Sequence, residues 1–85
     1  MPLQVSVVSA DQQVWAGEAT MVVARTTEGE IGILAGHTPL LAILASGEVR
    51  VTGLDGRKIT ASAADGFLSV EHDVVTIVAR DAALL

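Results

Sequence analysis

The chain has 85 residues, ten acidic against five basic, no cysteine, and a composition that is 51% hydrophobic but only 2% aromatic. That length leaves room for a single core, the scattered cations Arg25, Arg50, Arg57, Lys58 and Arg80 form no phosphate-binding surface, and neither a disulfide framework nor a thiolate metal site is possible. The densest apolar stretch, Ile31 to Ala45, is broken by Gly32, Gly36, His37, Thr38 and Pro39, so nothing reads as a bilayer-spanning segment, and the start does not resemble a signal peptide.

In chain order, apolar residues alternate with polar or small ones in short runs, the period of half-buried strands. Leu3, Val5 and Val7 share one face of a first strand, a turn covers Ala10 to Gln13, and a short strand around Val14 to Ala16 is expected to end at Gly17. Glu18 to Thr26 is apolar on both faces, as a central strand of a sandwich would be. Thr27-Glu28-Gly29 turns the chain into Glu30 to Leu34, and Gly36-His37-Thr38-Pro39 forms a loop in which Pro39 removes a donor and extends Thr38.

Leu40 to Leu44 and Glu48 to Thr52 read as two strands separated by a turn at Ser46-Gly47. Gly53-Leu54-Asp55-Gly56 joins the second to Arg57 to Ala63 as a hairpin, because the Asp-Gly dipeptide tolerates the positive φ of a tight turn. Asp65-Gly66 starts another turn before Phe67 to Val70. Glu71-His72-Asp73 then leads into Val74 to Arg80. The expectation is an all-β fold, a two-sheet antiparallel sandwich or flattened barrel of eight to ten short strands over residues 1–80, with a core of Val, Ile, Leu and Ala and Trp15 and Phe67 as its aromatic rings. Residues 81–85, Asp81-Ala82-Ala83-Leu84-Leu85, have helix-forming character with Asp81 placed to cap, like the start of a missing helical region.

A high apolar content in so small a body implies that some apolar surface is covered by a partner. Signals for chemistry are weak. His37 and His72 lie far apart in sequence without metal-ligand spacing, and the glycines at 29, 32 and 36 do not form a dinucleotide fingerprint. His72 between two carboxylates reads as a solvated turn residue; His37 reads as a loop imidazole satisfied by backbone or as an interface contact. Glu28 and Glu30 are either a solvated turn or a pair of carboxylates offered to a partner. No catalytic, metal, cofactor, nucleotide or small-molecule site is expected. A generic all-β interaction module and, third, a small hydrolase remain as competing readings.

The segment Gly29 to Leu41, GEIGILAGHTPLL, resembles the hallmark of the epsilon subunits of F-type ATP synthases, called delta in mitochondria. Val7 to Glu18, Leu44 through Val49, Asp65 to Val70 and Val74 to Ala79 follow the same family in order, so the resemblance covers nearly the whole chain. Ala35 stands where the family usually has proline and Asp65 replaces the first of two glycines; the family normally continues into two C-terminal helices. The resemblance implies a ten-stranded sandwich that performs no chemistry, packs beside the gamma subunit and rests on the polar loops of the c-ring. The complex would lie at the cytoplasmic face of a bacterial plasma membrane, without insertion of this chain. It implies further that Glu28, Gly29 and Glu30 face the ring, and that Ser9, His37, Thr38, Pro39, Leu41 and Ala42 lie toward gamma.

Overall fold

In the computed structural model residues 2–85 are described, and among them every regular element is a strand. The six strands are β1 (Leu3–Val8), β2 (Gln13–Thr26), β3 (Gly29–Leu34), β4 (Leu40–Gly53), β5 (Lys58–Glu71) and β6 (Val74–Leu84). Their order is β1-β6-β5-β4-β2-β3, and an additional β1–β2 pairing closes the first five into a ring, leaving β3 attached to β2 alone. All pairings are antiparallel except β1 with β6, so the result is a closed, barrel-like β-sandwich.

Six strands replace the expected eight to ten because three of them turn corners without breaking. β2, β4 and β5 each run for 14 residues. β2 passes through Gly17, pairs first with β1 and then with β4, and slips register between Ala19 and Met21. That slip exchanges its faces: Ala19 is buried, and the next buried residue is Val22 rather than Met21. A second slip sets Ala24 opposite Val49 but Thr26 opposite Leu44, so Ser46-Gly47 lies in a bulge of β4 rather than in a turn. At the third corner Asp65 has φ 60° within β5, and a Cβ on Gly66 would run into the Val78 carbonyl and the Ala79 backbone of β6. Only glycine allows the two strands to approach so closely there.

The C-terminal expectation fails in the same way. Asp81 to Leu84 continue β6, pairing Ala64 with Asp81 and Ala61 with Leu84, and the Leu85 amide donates to the Thr60 carbonyl at 2.9 Å. Helix propensity in Ala82, Ala83 and Leu84 yields to an available sheet edge, since tertiary pairing outweighs an intrinsic preference of a few tenths of a kcal/mol per residue.

Inside the ring the core is wholly aliphatic, with Leu3, Val7, Val22, Ile33, Val49, Val51, Leu68, Val70, Val75 and Ile77 among its most deeply buried side chains. Trp15 packs against its margin, while Phe67 points outward and is 39% exposed. The core therefore holds one of the two expected rings, at its edge, and the other belongs to the surface.

Candidate partner-binding surfaces

The turn between β2 and β3 is tied from within. The Thr26 hydroxyl donates to the Gly29 carbonyl at 2.8 Å and accepts from the Glu28 amide at 3.1 Å, while Gly29 takes a φ of 117° that side chains disfavour. Glu28 projects from this turn and is exposed, but Glu30 is already engaged by the Arg50 guanidinium at 2.8 Å. The two carboxylates are thus not equivalent, a distinction that depends on β4 lying beside β2 and is invisible in the local sequence.

Beside the turn, a groove of about 220 Å³ is lined by Thr26, Thr27, Glu28 and Ile31 on one side and by Leu40, Leu41, Ala42 and Ile43 on the other. The Thr27 amide crosses it to the Ile43 carbonyl at 3.0 Å. Residues assigned by resemblance to two different partners therefore stand next to each other: Glu28 shares a groove with Leu41 and Ala42.

His37, Thr38 and Pro39 lie in the loop from β3 to β4. The His37 amide donates to the Leu34 carbonyl at 3.2 Å, and the His37 ring Nδ1 lies 2.6 Å from the Thr38 carbonyl, a contact in which Nδ1 is the donor. This leaves Nε2 as the ring position available to a partner. Ser9 lies elsewhere, just past the far end of β1. The residue is only 8% exposed, and its hydroxyl is spent on the turn, donating to the Gln12 carbonyl at 3.1 Å and lying 3.3 Å from Asp11 Oδ1. The structure does not bring Ser9 together with His37.

What joins those two regions is the outer face of β1, β6, the second half of β5 and the first half of β4. Directly paired positions give one row Ala16–Ser6–Thr76–Ser69–Leu41 and a second row Val8–Val78–Phe67–Ile43. No charge occurs in either row; the next row, Glu18–Gln4–Val74–Glu71, marks the boundary. Leu41 and Ile43 are 69% and 59% exposed, and with Phe67 they form an apolar surface across neighbouring strands. Such surface is disfavoured in contact with water and is characteristic of a protein interface. Sequence reasoning missed Val8, Ile43, Phe67 and Val78. The available signal was a strand that stays apolar on the face turned away from the core.

The remaining outer surface is built differently. Over β3, the second halves of β2 and β4, and the first half of β5, the outward positions include Arg25, Glu30, Glu48, Arg50 and Lys58, with Arg25 directly opposite Glu30. Among the described residues no three acidic, His or Cys side chains gather where they would hold a metal ion, and no buried side-chain polar atom lacks a hydrogen-bond partner. Among the described residues no helix is long and apolar enough to cross a membrane.

Residues 2–84 match the family model for the ATP synthase delta/epsilon chain, beta-sandwich domain. The chain belongs to the ATP synthase epsilon-chain family. It is 51% identical to the epsilon chain of Frankia casuarinae over 99% of both chains, and 54% identical to that of Micrococcus luteus over 96% of this chain and 90% of the relative. The Streptomyces avermitilis epsilon chain is 48% identical, but only 66% of its length is spanned. Family members thus differ in how far they extend beyond the sandwich. In a solved structure of the Euglena gracilis mitochondrial ATP synthase, comprising OSCP, F1 and c-ring, one chain superposes with a TM-score of 0.91 at 28% identity, covering 98% of this chain and 53% of that one. A Tetrahymena thermophila central-stalk and c-ring chain shares the fold, with a TM-score of 0.76 at 14% identity.

Proposed function

We propose that this epsilon-family domain is a non-catalytic coupling element in the rotor of a proton-translocating F-type ATP synthase. It is held against the gamma subunit by its uncharged outer face together with the His37 loop, and seated on the polar loops of the c-ring by the Glu28-Gly29-Glu30 turn. The family supplies the complex: the relatives are bacterial ATP synthase epsilon chains, and the Euglena assembly contains both F1 and a c-ring. In a bacterium the domain would then sit on the cytoplasmic face of the plasma membrane through its partners.

The single observation that carries the reading is the pair of uncharged rows that end in Leu41 and Ile43 and include Phe67, an exposed surface of the kind that suits a protein interface. A closed sandwich with a close-packed aliphatic core suits the role, since it transmits force with little internal deformation. Glu28, exposed and in no ion pair among the described residues, is suited to accept hydrogen bonds or salt bridges from basic loops.

The reading is tested by co-elution of the purified chain with a gamma and c-ring subcomplex. Phe67→Asp should strongly weaken association with gamma while thermal unfolding stays near that of the parent chain. Glu28→Arg should weaken association with the ring and leave gamma binding intact. Retention of both complexes in both variants would contradict the proposal.

A further inference from the structure

The loop that carries His37 hangs on one side chain from another part of the chain. The Gly36 amide donates to the Asp73 carboxylate at 2.7 Å, and Asp73 belongs to the turn between β5 and β6, 37 residues away. The backbone of Asp73 is itself fixed, because its carbonyl accepts from the Gln4 amide of β1 at 2.8 Å. Three segments remote in sequence therefore meet at one residue. β1 holds Asp73, and Asp73 holds Gly36, which precedes His37.

Asp73 also adopts a left-handed backbone conformation, φ 61°, beside His72 at 51°. That geometry costs most residues free energy but is tolerated best by glycine, asparagine and aspartate. The turn thus makes two demands on this position, a positive φ and an acceptor oxygen aimed at the Gly36 amide. The first alone would be met by glycine; both together restrict the choice to aspartate and asparagine. Gly36 has a φ of 86°, so the segment bends just where its amide is held, and the direction in which His37, Thr38 and Pro39 leave the bend is set at that bond.

We propose that Asp73 is a positioning residue for the gamma-binding surface: by holding the Gly36 amide it fixes the loop that presents His37 and leads into Leu40 and Leu41. This rests on the reading above that the His37 loop meets gamma. Asp73 itself need not touch the partner; it acts by removing loop conformations that would otherwise have to be ordered on binding.

Two replacements separate acceptor from backbone. Asp73→Gly keeps the positive φ and deletes the acceptor; Asp73→Asn keeps both. In the free chain, exchange of the Gly36 amide should speed up by roughly fivefold or more in Asp73→Gly, as loss of one charge-assisted hydrogen bond predicts, and amides of the core strands should keep their protection. Affinity of the same variant for the gamma subunit should fall several-fold, and Asp73→Asn should restore both quantities to within about twofold, an allowance for the weaker neutral acceptor. Unchanged Gly36 exchange in Asp73→Gly would show that the bond does not hold the loop. Faster exchange with unchanged gamma affinity would overturn the positioning role while leaving gamma binding by the domain intact. Failure of the parent chain itself to bind gamma would remove the functional reading and this inference with it.

Discussion

The two outer faces of the sandwich obey the same inward rule and opposite outward ones. On both, alternate residues such as Val5, Val75 and Leu68, or Val22, Val51 and Ala61, disappear into one aliphatic core. Outward, the face of β1, β6 and the adjoining halves of β5 and β4 presents Ser6, Val8, Thr76, Val78, Phe67, Leu41 and Ile43 without a charge, whereas the face around β3 carries Arg25, Glu30, Arg50 and Lys58. Folding requires only the inward half of this pattern. The outward difference is not required by folding, and it divides a small domain into an uncharged side and a side that carries charges of both signs.

The contrast between the faces is disrupted most severely from within, at the corner where β5 meets β6 behind the uncharged face. Gly66→Ala places a Cβ against the Val78 carbonyl and the Ala79 backbone, which cannot swing aside, and should lower stability by about 3 kcal/mol or more, in the range reserved for steric or cavity defects. On the charged side Gly47→Ala meets only the flexible Arg25 side chain at 3.3 Å and should cost under about 1 kcal/mol. Denaturant unfolding of the two variants in parallel measures the contrast. Equal losses would mean that the corner is less tightly closed than described.

Next in size is an effect on binding rather than on folding. Phe67→Asp or Leu41→Asp puts a charge into the uncharged rows and should weaken gamma binding by roughly 2 to 4 kcal/mol, the scale of a central interface residue, with little change in unfolding temperature because both side chains are exposed in the free chain. Lys58→Asp on the opposite face should leave that affinity nearly unchanged. Titration calorimetry against gamma would distinguish the faces.

The smallest expected effect concerns the Glu30–Arg50 pair. Both side chains are more than half exposed, so Arg50→Ala should change stability by no more than about 1 kcal/mol, diminishing with added salt. Its use lies in sharpening the role of the turn: releasing Glu30 beside Glu28 should strengthen, not weaken, association with basic ring loops. A loss of ring association on Arg50→Ala would show that the ion pair itself is what the ring recognises.

How much of this was legible in the sequence differs from element to element. The tip of the β4–β5 hairpin was: Asp55-Gly56 marks it, and Ala61, Ala63, Val49 and Val51 point inward as alternation requires. The corners were not, because a glycine or Ser-Gly pair that reads locally as a turn serves here to let a strand bulge or approach its neighbour. The helical expectation for residues 81–85 failed for a related reason, since the backbone groups of β5 that claim Asp81 to Leu85 lie some twenty residues back. For the surfaces, the resemblance singled out Glu28, His37, Leu41 and Ala42, and the structure gathers Glu28 with Leu41 and Ala42 around one groove. It separates Ser9 from His37, binds Glu30 to Arg50 and adds Phe67 and Ile43. Each of these depends on strands that are neighbours only in the folded ring.

The most direct test of the division between the faces is a side-chain footprint of the chain, free and bound to the gamma subunit, by hydroxyl-radical labelling. Protection on binding is expected at Leu41, Ile43 and Phe67, with Leu34 and Leu54, exposed outside the uncharged rows, labelled as before. Protection of Leu34 and Leu54 in place of Leu41, Ile43 and Phe67 would contradict it.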